Sequence, residues 1–442
     1  MSRRSASTAL TVTALLLLGT LTACTSEEAT SLTAPAVYYL PPYGEKSAVN
    51  DKPVFEVRAE GGSSYPRTGT RRATVDVVGG SEDVVRLRRS GPECRGGAAH
   101  VTCDIPGDFL DGGGNQRVVP VAAKGAEVGE SAVVRFTYTT KDGKKLTART
   151  EFVVGEPVVE VLAPKAFGHV RPGAELTAPL VVRNSGTVPV RGLGLELQPG
   201  STEYAERYAN CRYLDRKHYD GNAAVCRFPD VRIAPGETVA LKTGLRLRAS
   251  ETAMYGTVEA RVWPLDTKPE SRTGEFGDGP SLEVVAAEPV RGAFRAGSAT
   301  TPVTLDTHAD YEVTPATLHG HPGDTRRLRL TVRNNGPGDP GDATELVFTP
   351  PYDATILKQP MDEVDDDYYE PHCSDNGYVY TCSVGELASG ATRTFEFTLR
   401  LGEPGVGSVL VQDTDRATTQ ARGRRDPRPG NDEAAVTATG AD

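Results

Sequence analysis

Residues 328–338 read L-R-L-T-V-R-N-N-G-P-G, with Leu328, Leu330 and Val332 alternating as in a strand that buries one face. Asn-Asn-Gly-Pro-Gly then turns the chain sharply. A near copy, P-L-V-V-R-N-S-G, lies at 179–186. The register holds without a gap at His169/His319, Pro172/Pro322, Gly173/Gly323, Val182/Val332, Arg183/Arg333, Asn184/Asn334 and Gly186/Gly336. A solenoid unit would recur every roughly 20–50 residues, so this longer period predicts repeated domains.

The rest of the chain carries the same kind of pattern. Strands are predicted at 54–57, 73–78, 133–138 and 146–154, with Asp142-Gly143 marking a hairpin turn between the last two. Further strands are predicted at 158–162, 180–182, 239–247 and 434–437, and the third domain opens at 309–313. Past the first residues, no segment sustains a helical period over three turns. Many short strands with closely spaced turn signals predict an all-β chain of three tandem Ig-like β-sandwich domains after an N-terminal signal segment. The boundaries expected are 37–156, 157–287 and 308–442. Residues 288–307 are small and poorly alternating, and read as a flexible linker that leaves the domains a mobile array.

Residues 1–23 form an export signal: Arg3 and Arg4, then an apolar run at 9–21 too short for a stable span. The run ends in Leu21-Thr22-Ala23-Cys24, similar to the lipobox of bacterial lipoproteins, which implies cleavage before Cys24 and lipid on its thiol. Residues 24–36 then read as a polar tether. The cysteine count agrees, because seven thiols leave one unpaired in an exported protein. Without Cys24, three local couples remain: Cys94 with Cys103, Cys211 with Cys226, and Cys373 with Cys382. One couple per third of the chain favours one disulfide per domain over the alternative pairings.

In the third domain, A-D-Y-E-V (309–313), P-G-D (322–324), T-V-R-N-N-G-P (331–337), the Cys373/Cys382 couple, L-A-S-G-A-T (387–392) and N-D-E-A-A-V (431–436) follow in order. This series resembles the bacterial conserved-repeat Ig-like domains, the "domain of unknown function eleven" kind found in tandem on surface proteins, especially of actinobacteria. The resemblance covers 309–437, is weaker in the second domain, and in the first is limited to the cysteine couple and Thr70-Arg71-Arg72. It implies a fold and a surface location, and brings no catalytic residues.

A net charge of −10 argues against nucleic acid as a partner. Two inserts stand out. M-D-E-V-D-D-D-Y-Y-E-P-H-C-S-D-N at 361–376 is acidic, and reads either as a solvated loop or as oxygen ligands for Ca²⁺ without EF-hand spacing. The insert at 204–226 is basic and aromatic, with Arg207, Arg212, Arg216, Lys217 and His218 beside Tyr204, Tyr208, Tyr213 and Tyr219. The third domain has Tyr352, Tyr368, Tyr369, Tyr378 and Tyr380. Such tyrosines serve either contact surfaces or local packing. His319-Gly320-His321 is a weak metal signal, and Gly112-Gly113-Gly114 lacks the order of a phosphate loop. No G-x-S-x-G or H-E-x-x-H occurs.

The sequence therefore reads as a secreted, lipid-anchored protein on the outer face of the cell membrane, not an enzyme, without cofactor, catalytic or metal residues. It would act as an Ig-like stalk or interaction module. Its expected partners are the membrane, through lipidated Cys24, and a cell-envelope protein or polysaccharide. Two alternatives stand beside it: a carbohydrate- or calcium-dependent binder using the tyrosine-rich and acidic loops, and a non-catalytic accessory array of a surface hydrolase.

Overall fold

A computed structural model describes residues 31–440 apart from 50–51, 53, 61–70, 106–117, 141–142, 215–221, 268–273, 342–343, 366–367 and 414–424. The signal segment, Cys24 and the glycine run at 112–114 lie outside the described residues. The chain is all-β and built of Ig-like sandwiches; the described residues contain strands, three single-turn 3₁₀ segments and no α-helix. They fall into two compact units, one drawn from 31–36, 54–125 and 131–152, the other from 37–49, 52, 126–130 and 153–440.

In the first unit the sheet order is Lys145–Val154, Ser131–Thr139, Arg71–Val77, His100–Ile105, Cys94–Gly96. Val85–Arg89 pairs with Val118–Ala122 in a second sheet. Strict alternation in Ser131–Thr139 puts Val134, Phe136 and Tyr138 inside. Two expectations fail here. The segment 54–57 is not a strand: only Phe55 is buried, 5.3 Å from Phe136 and 5.0 Å from Phe152, while Val54 is exposed. The tether does not stay free along its length, because Ser31–Thr33 pairs antiparallel with Arg58–Glu60. Leu32 packs on Tyr138 and Leu146, which supplies the apolar contact a polar tether lacks. Ala36 and Pro35 are held as well, through their carbonyls, by Glu151 N (2.9 Å) and Thr150 Oγ1 (2.7 Å).

Residues 37–49 and 52 group with the second unit. Buried Glu156 is the anchor: its carboxylate takes Lys52 Nζ (2.5 Å), Ser47 Oγ (2.9 Å) and Ala48 N (2.7 Å). Tyr39 adds a 2.6 Å hydrogen bond to Asp266.

The second unit holds two large apolar cores, called the second and third after that of the first unit. Around the second core, one sheet runs Val284–Ala286, Thr238–Leu241, Val181–Asn184, Val159–Leu162, Phe294–Ala296. The facing sheet contains Phe167–Val170, Ser298–Leu305, Tyr255–Pro264, Val190–Gln198, Ala224–Ile233, Cys211–Tyr213 and Glu275–Phe276 in that order. Two strands of these sheets come from the stretch expected as a linker. Ser298–Leu305 pairs with Tyr255–Pro264 over seven positions, and alternation at Ala299, Thr301, Val303 and Leu305 buries one face. Its threonines gave the sequence a polar look, yet Thr is a good strand former and Thr301 is buried.

Around the other core, Tyr311–Val313, Thr325–Asn334, Thr392–Arg400 and Thr355–Lys358 form one sheet. Ala316–His319, Glu433–Thr439, Gly405–Asp413, Thr344–Thr349, Tyr380–Ser383 and Cys373–Asp375 form the other. Disulfides join Cys94 to Cys103, Cys211 to Cys226 and Cys373 to Cys382, each pair directly opposite across two antiparallel strands.

The repeated Asn-x-Gly sits at the same corner of both cores. Asn184 and Asn334 are fully buried. Asn184 Nδ2 donates to Val188 O (2.9 Å) and Ile233 O (3.0 Å); Asn334 Nδ2 donates to Gly338 O (2.7 Å) and Leu387 O (2.8 Å). Each Oδ1 accepts the glycine N–H at 2.9 Å and the N–H of the opening strand, Val158 or Asp310, at 3.3 Å. A Cβ at Gly186 would lie 2.2 Å from Glu156 O, and one at Gly336 2.6 Å from Asp310 N, so only glycine fits.

Beside this corner, buried Asp310 takes Asn431 Nδ2 (3.0 Å) on one oxygen and the Arg428 guanidinium on the other. Burial alone would raise its pKa, but those two donors outweigh it and hold the carboxyl below its usual range. A folded-state pKa below the unfolded one means the stabilisation is complete above about pH 4 and is lost as pH falls through the lowered value. Asp310→Asn is therefore expected to flatten the acid limb of the third core's stability profile. An unchanged acid limb in denaturation series between about pH 2 and 5 would contradict it.

Candidate interaction surface

The acidic insert is a β-hairpin, not a loop. Met361–Asp365 pairs antiparallel with Tyr368–Pro371, with Asp362 opposite Glu370 and Glu363 opposite Tyr369. All nine strand residues are exposed, including Met361, Val364, Tyr368 and Tyr369. Asp366 and Asp367 lie outside the described residues. A two-stranded ribbon with no buried face is marginal on its own, and opposed like charges weaken it further.

Its base is held firmly. His372 N donates to Pro360 O at 2.9 Å. The His372 ring, 10% exposed, sits between Asp362 Oδ2 (Nδ1, 2.7 Å) and Ser383 O (Nε2, 2.9 Å) and lies 5.8 Å from the Phe395 ring. Next to the hairpin, Asn376 Oδ1 accepts Tyr378 N (3.1 Å) and Val379 N (3.0 Å), projecting Tyr378 into solvent at 82% exposure. Nothing in the composition of 361–376 singled out His372 as the clasp; its signal was only its position beside Cys373.

The second domain's tyrosines do the opposite. Tyr208 and Tyr213 are buried, and the Tyr204 and Tyr213 rings meet edge to face at 5.0 Å. Tyr213 OH accepts Tyr208 N (2.7 Å), Tyr208 OH accepts Arg246 N (3.1 Å), and Tyr204 OH donates to Leu197 O (3.0 Å). Burial pushes the Tyr213 hydroxyl up to about 12 and raises Tyr204 further. Arg207 and Arg212 lie over Tyr213 (4.3 Å) and Phe276 (4.0 Å). Packing is the role of this cluster, while Arg216, Lys217, His218 and Tyr219 lie outside the described residues. Of the third-domain set, Tyr380 packs on Phe348 and Phe397, whereas Tyr352 is exposed.

A second surface was not singled out from the sequence. The outer face of the sheet around Thr325–Asn334 carries Arg327, Arg329 and Arg333, and Arg400 follows on the neighbouring strand opposite Thr325. Threonines stand between them. Arg329 pairs with Glu396 at 2.7 Å, but among the described residues Arg327, Arg333 and Arg400 make no ion pair, although Glu312 stands opposite Arg333. The signal was present in the opening motif, since an alternation that buries Leu328, Leu330 and Val332 must expose the residues between.

The other sites resolve into structure. His319 Nδ1 meets Thr439 Oγ1 at 2.8 Å, and His321 N donates to Asp324. Among the described residues, no group of three or more His, Cys, Asp or Glu is arranged to hold a metal ion. A cleft of about 820 Å³ beside Ala224–Ile233 and Val284–Ala286 is mixed in character, with Glu283 tied to Lys242 (2.7 Å) and Arg232 to the carbonyls of Pro229 and Val231.

No protein-family model matches this chain. No curated protein matches it either. Among solved structures, it is similar to an I-band fragment of titin (9% identity, 93% of this chain and 98% of that one, TM-score 0.17). It is also similar to the C-terminal domain of the AgI/II polypeptide BspA of Streptococcus agalactiae (10%, 64% and 99%, TM-score 0.19). A third is a protein of unknown function from Porphyromonas gingivalis (11%, 64% and 99%, TM-score 0.16). At these values the likenesses assign neither a family nor an activity.

Proposed function

We propose that this chain is a non-catalytic, exported Ig-like interaction module, lipid-anchored at the outer face of the membrane through Cys24. The observation that carries the interaction role is the free-standing hairpin, whose nine described strand residues are all exposed, four of them large and apolar or aromatic. Exposed Tyr beside carboxylates offers anchoring area with low rotamer cost, as in loops that bind proteins. Three disulfides support an oxidising compartment. Export and anchoring rest on Leu21-Thr22-Ala23-Cys24 and the odd cysteine.

Cell fractionation tests the anchor. The native chain is expected in the membrane fraction, and Cys24→Ala in the medium or as uncut precursor. A cytoplasmic native chain, or a Cys24→Ala chain that stays mature and membrane-bound, would overturn the reading. An intact mass of the mature protein gives the N-terminal residue and its modification directly.

A further inference from the structure

We infer that this protein associates with a second copy of itself, the acidic hairpin of one molecule docking on the arginine-lined sheet face of the next. The inference deepens the interaction role proposed above and rests on it. Both halves of the contact are on one domain. On the hairpin, Glu363 stands opposite Tyr369 on one face of the ribbon and Glu370 opposite Asp362 on the other, with Val364 and Tyr368 beside them, all exposed. On the sheet, Arg327, Arg333 and Arg400 lie exposed on two paired strands and make no ion pair among the described residues, with Glu312 across the pair from Arg333. The chain is acidic as a whole, so a cationic face is a local inversion of charge.

The two surfaces are opposite in net charge: four acidic residues on the hairpin strands, and four arginines against Glu312 and Glu396 on the sheet face. Guanidinium forks take carboxylates in bidentate pairs, and they stack on tyrosine faces. Threonines between the arginines supply hydroxyls for the tyrosine O–H groups and for the remaining carboxylate oxygens. Geometry also separates the two elements within one molecule. The hairpin leaves the sheet from its edge strand Thr355–Lys358, and its base is clasped by His372 to the Ser383 side of the domain. Among the described residues, Asp362, Glu363 and Glu370 make no ion pair with Arg327, Arg333 or Arg400 of the same molecule. A hairpin on one copy and a face on the next form a heterologous contact, which propagates rather than closing into a two-fold dimer. One hairpin on one face lies at the small end of specific interfaces, below about 1,200 Å², so the contact is weak singly and gains from crowding on a surface.

The test uses the full mature chain as Cys24→Ser, which removes both lipid and free thiol, in sedimentation velocity across a concentration series. Weight-average mass is expected to rise with concentration at about 50 mM salt, and the apparent Kd to weaken at least about ten-fold at 500 mM, where the Debye length falls to about 4 Å. Arg327→Glu/Arg333→Glu and, separately, Glu363→Lys/Glu370→Lys should each stay monomeric. Mixing those two variants should restore association, because each then meets an opposite charge on the other. Circular dichroism and intact disulfides confirm that the variants are folded. A native chain monomeric at low salt, association untouched by either charge reversal, or a face that binds an anionic polymer without self-association would each overturn the inference. Such a failure with the native chain still in the membrane fraction leaves the anchor reading standing; a cytoplasmic native chain sinks that reading instead.

Discussion

Asn334→Ala is expected to destabilise the third core by about 3–6 kcal/mol while leaving its strands intact in sequence. The side chain makes four hydrogen bonds in a fully buried corner: Gly338 O and Leu387 O accept from it, and Gly336 N and Asp310 N donate to it. Each buried partner left unmet costs about 1–3 kcal/mol, and N–H groups are harder to leave orphaned than carbonyls. Asn334→Asp separates the two halves of the device. It keeps the acceptor for the two N–H groups but sets a carboxylate against two carbonyl oxygens, so it should be as damaging as alanine or worse. Asn184→Ala should do the same to the second core, whose corner is built from the same bonds. The chain's single tryptophan makes the experiment selective. Trp263 lies on the strand Tyr255–Pro264 of the second core, so its fluorescence reports that core alone. In guanidinium titrations of the oxidised chain, Asn184→Ala should move the Trp263 transition. Asn334→Ala should act mainly on hydrogen-exchange protection of Thr325–Asn334. A cost below about 1 kcal/mol at either position would mean that water replaces the amide, and the corner would lose its explanation.

That corner is also where the sequence was most legible. A repeated Asn-x-Gly behind alternating apolar residues reports a buried amide with a fixed set of backbone partners, and both demands are local. The disulfide couples were legible for a related reason: each closes a short hairpin, so spacing alone points to the partner. Where the reading failed, the deciding contact was remote in sequence. Ser298–Leu305 looked like a linker because its strand partners lie some forty residues upstream, and small and polar residues hid an alternation that only pairing reveals. The strand Ser31–Thr33 was missed similarly, since only Leu32 is apolar and its neighbours Tyr138 and Leu146 are far along the chain.

The surface shows the same division. Composition picked out both tyrosine-bearing inserts but could not tell that one is core and the other is bare. That outcome turned on Tyr208 and Tyr213 finding backbone partners in buried positions, while Tyr368 and Tyr369 sit on a ribbon with nothing behind it. The arginine face was written into the opening motif, but a charged outer face is the ordinary condition of a strand. What distinguishes it is that, among the described residues, Arg329 alone of its four arginines makes an ion pair, although Glu312 stands opposite Arg333.

The junction between the two cores of the second unit carries the last expectation. A flexible linker would let them move independently, and the structure instead stitches them together. Met254, on a turn preceding the strand Tyr255–Pro264, is fully buried in the cluster that holds Tyr311, Leu330 and Phe348. Its backbone is pinned from both directions. Met254 N donates to Asp339 O (3.0 Å), Met254 O accepts Leu305 N (2.9 Å), and Asp339 N donates to Thr252 O (2.7 Å). Gly338 has no room for a Cβ, which would lie 2.8 Å from Met254 Cγ. Truncating a buried methionine to alanine costs about 2–5 kcal/mol, and Met254→Asp adds the burial of a charge. Met254→Ala is therefore expected to lower the third core's stability by that amount and to let the two cores reorient separately, seen as faster amide relaxation in Thr325–Asn334. Inserting Gly-Ser after Thr307 should cost a similar amount, because it separates Leu305, whose N–H holds Met254 O, from His308, whose carbonyl holds Gly338 N. If both changes stay within about 1 kcal/mol and relaxation is unchanged, Met254 is filling space and the two cores are held by something else.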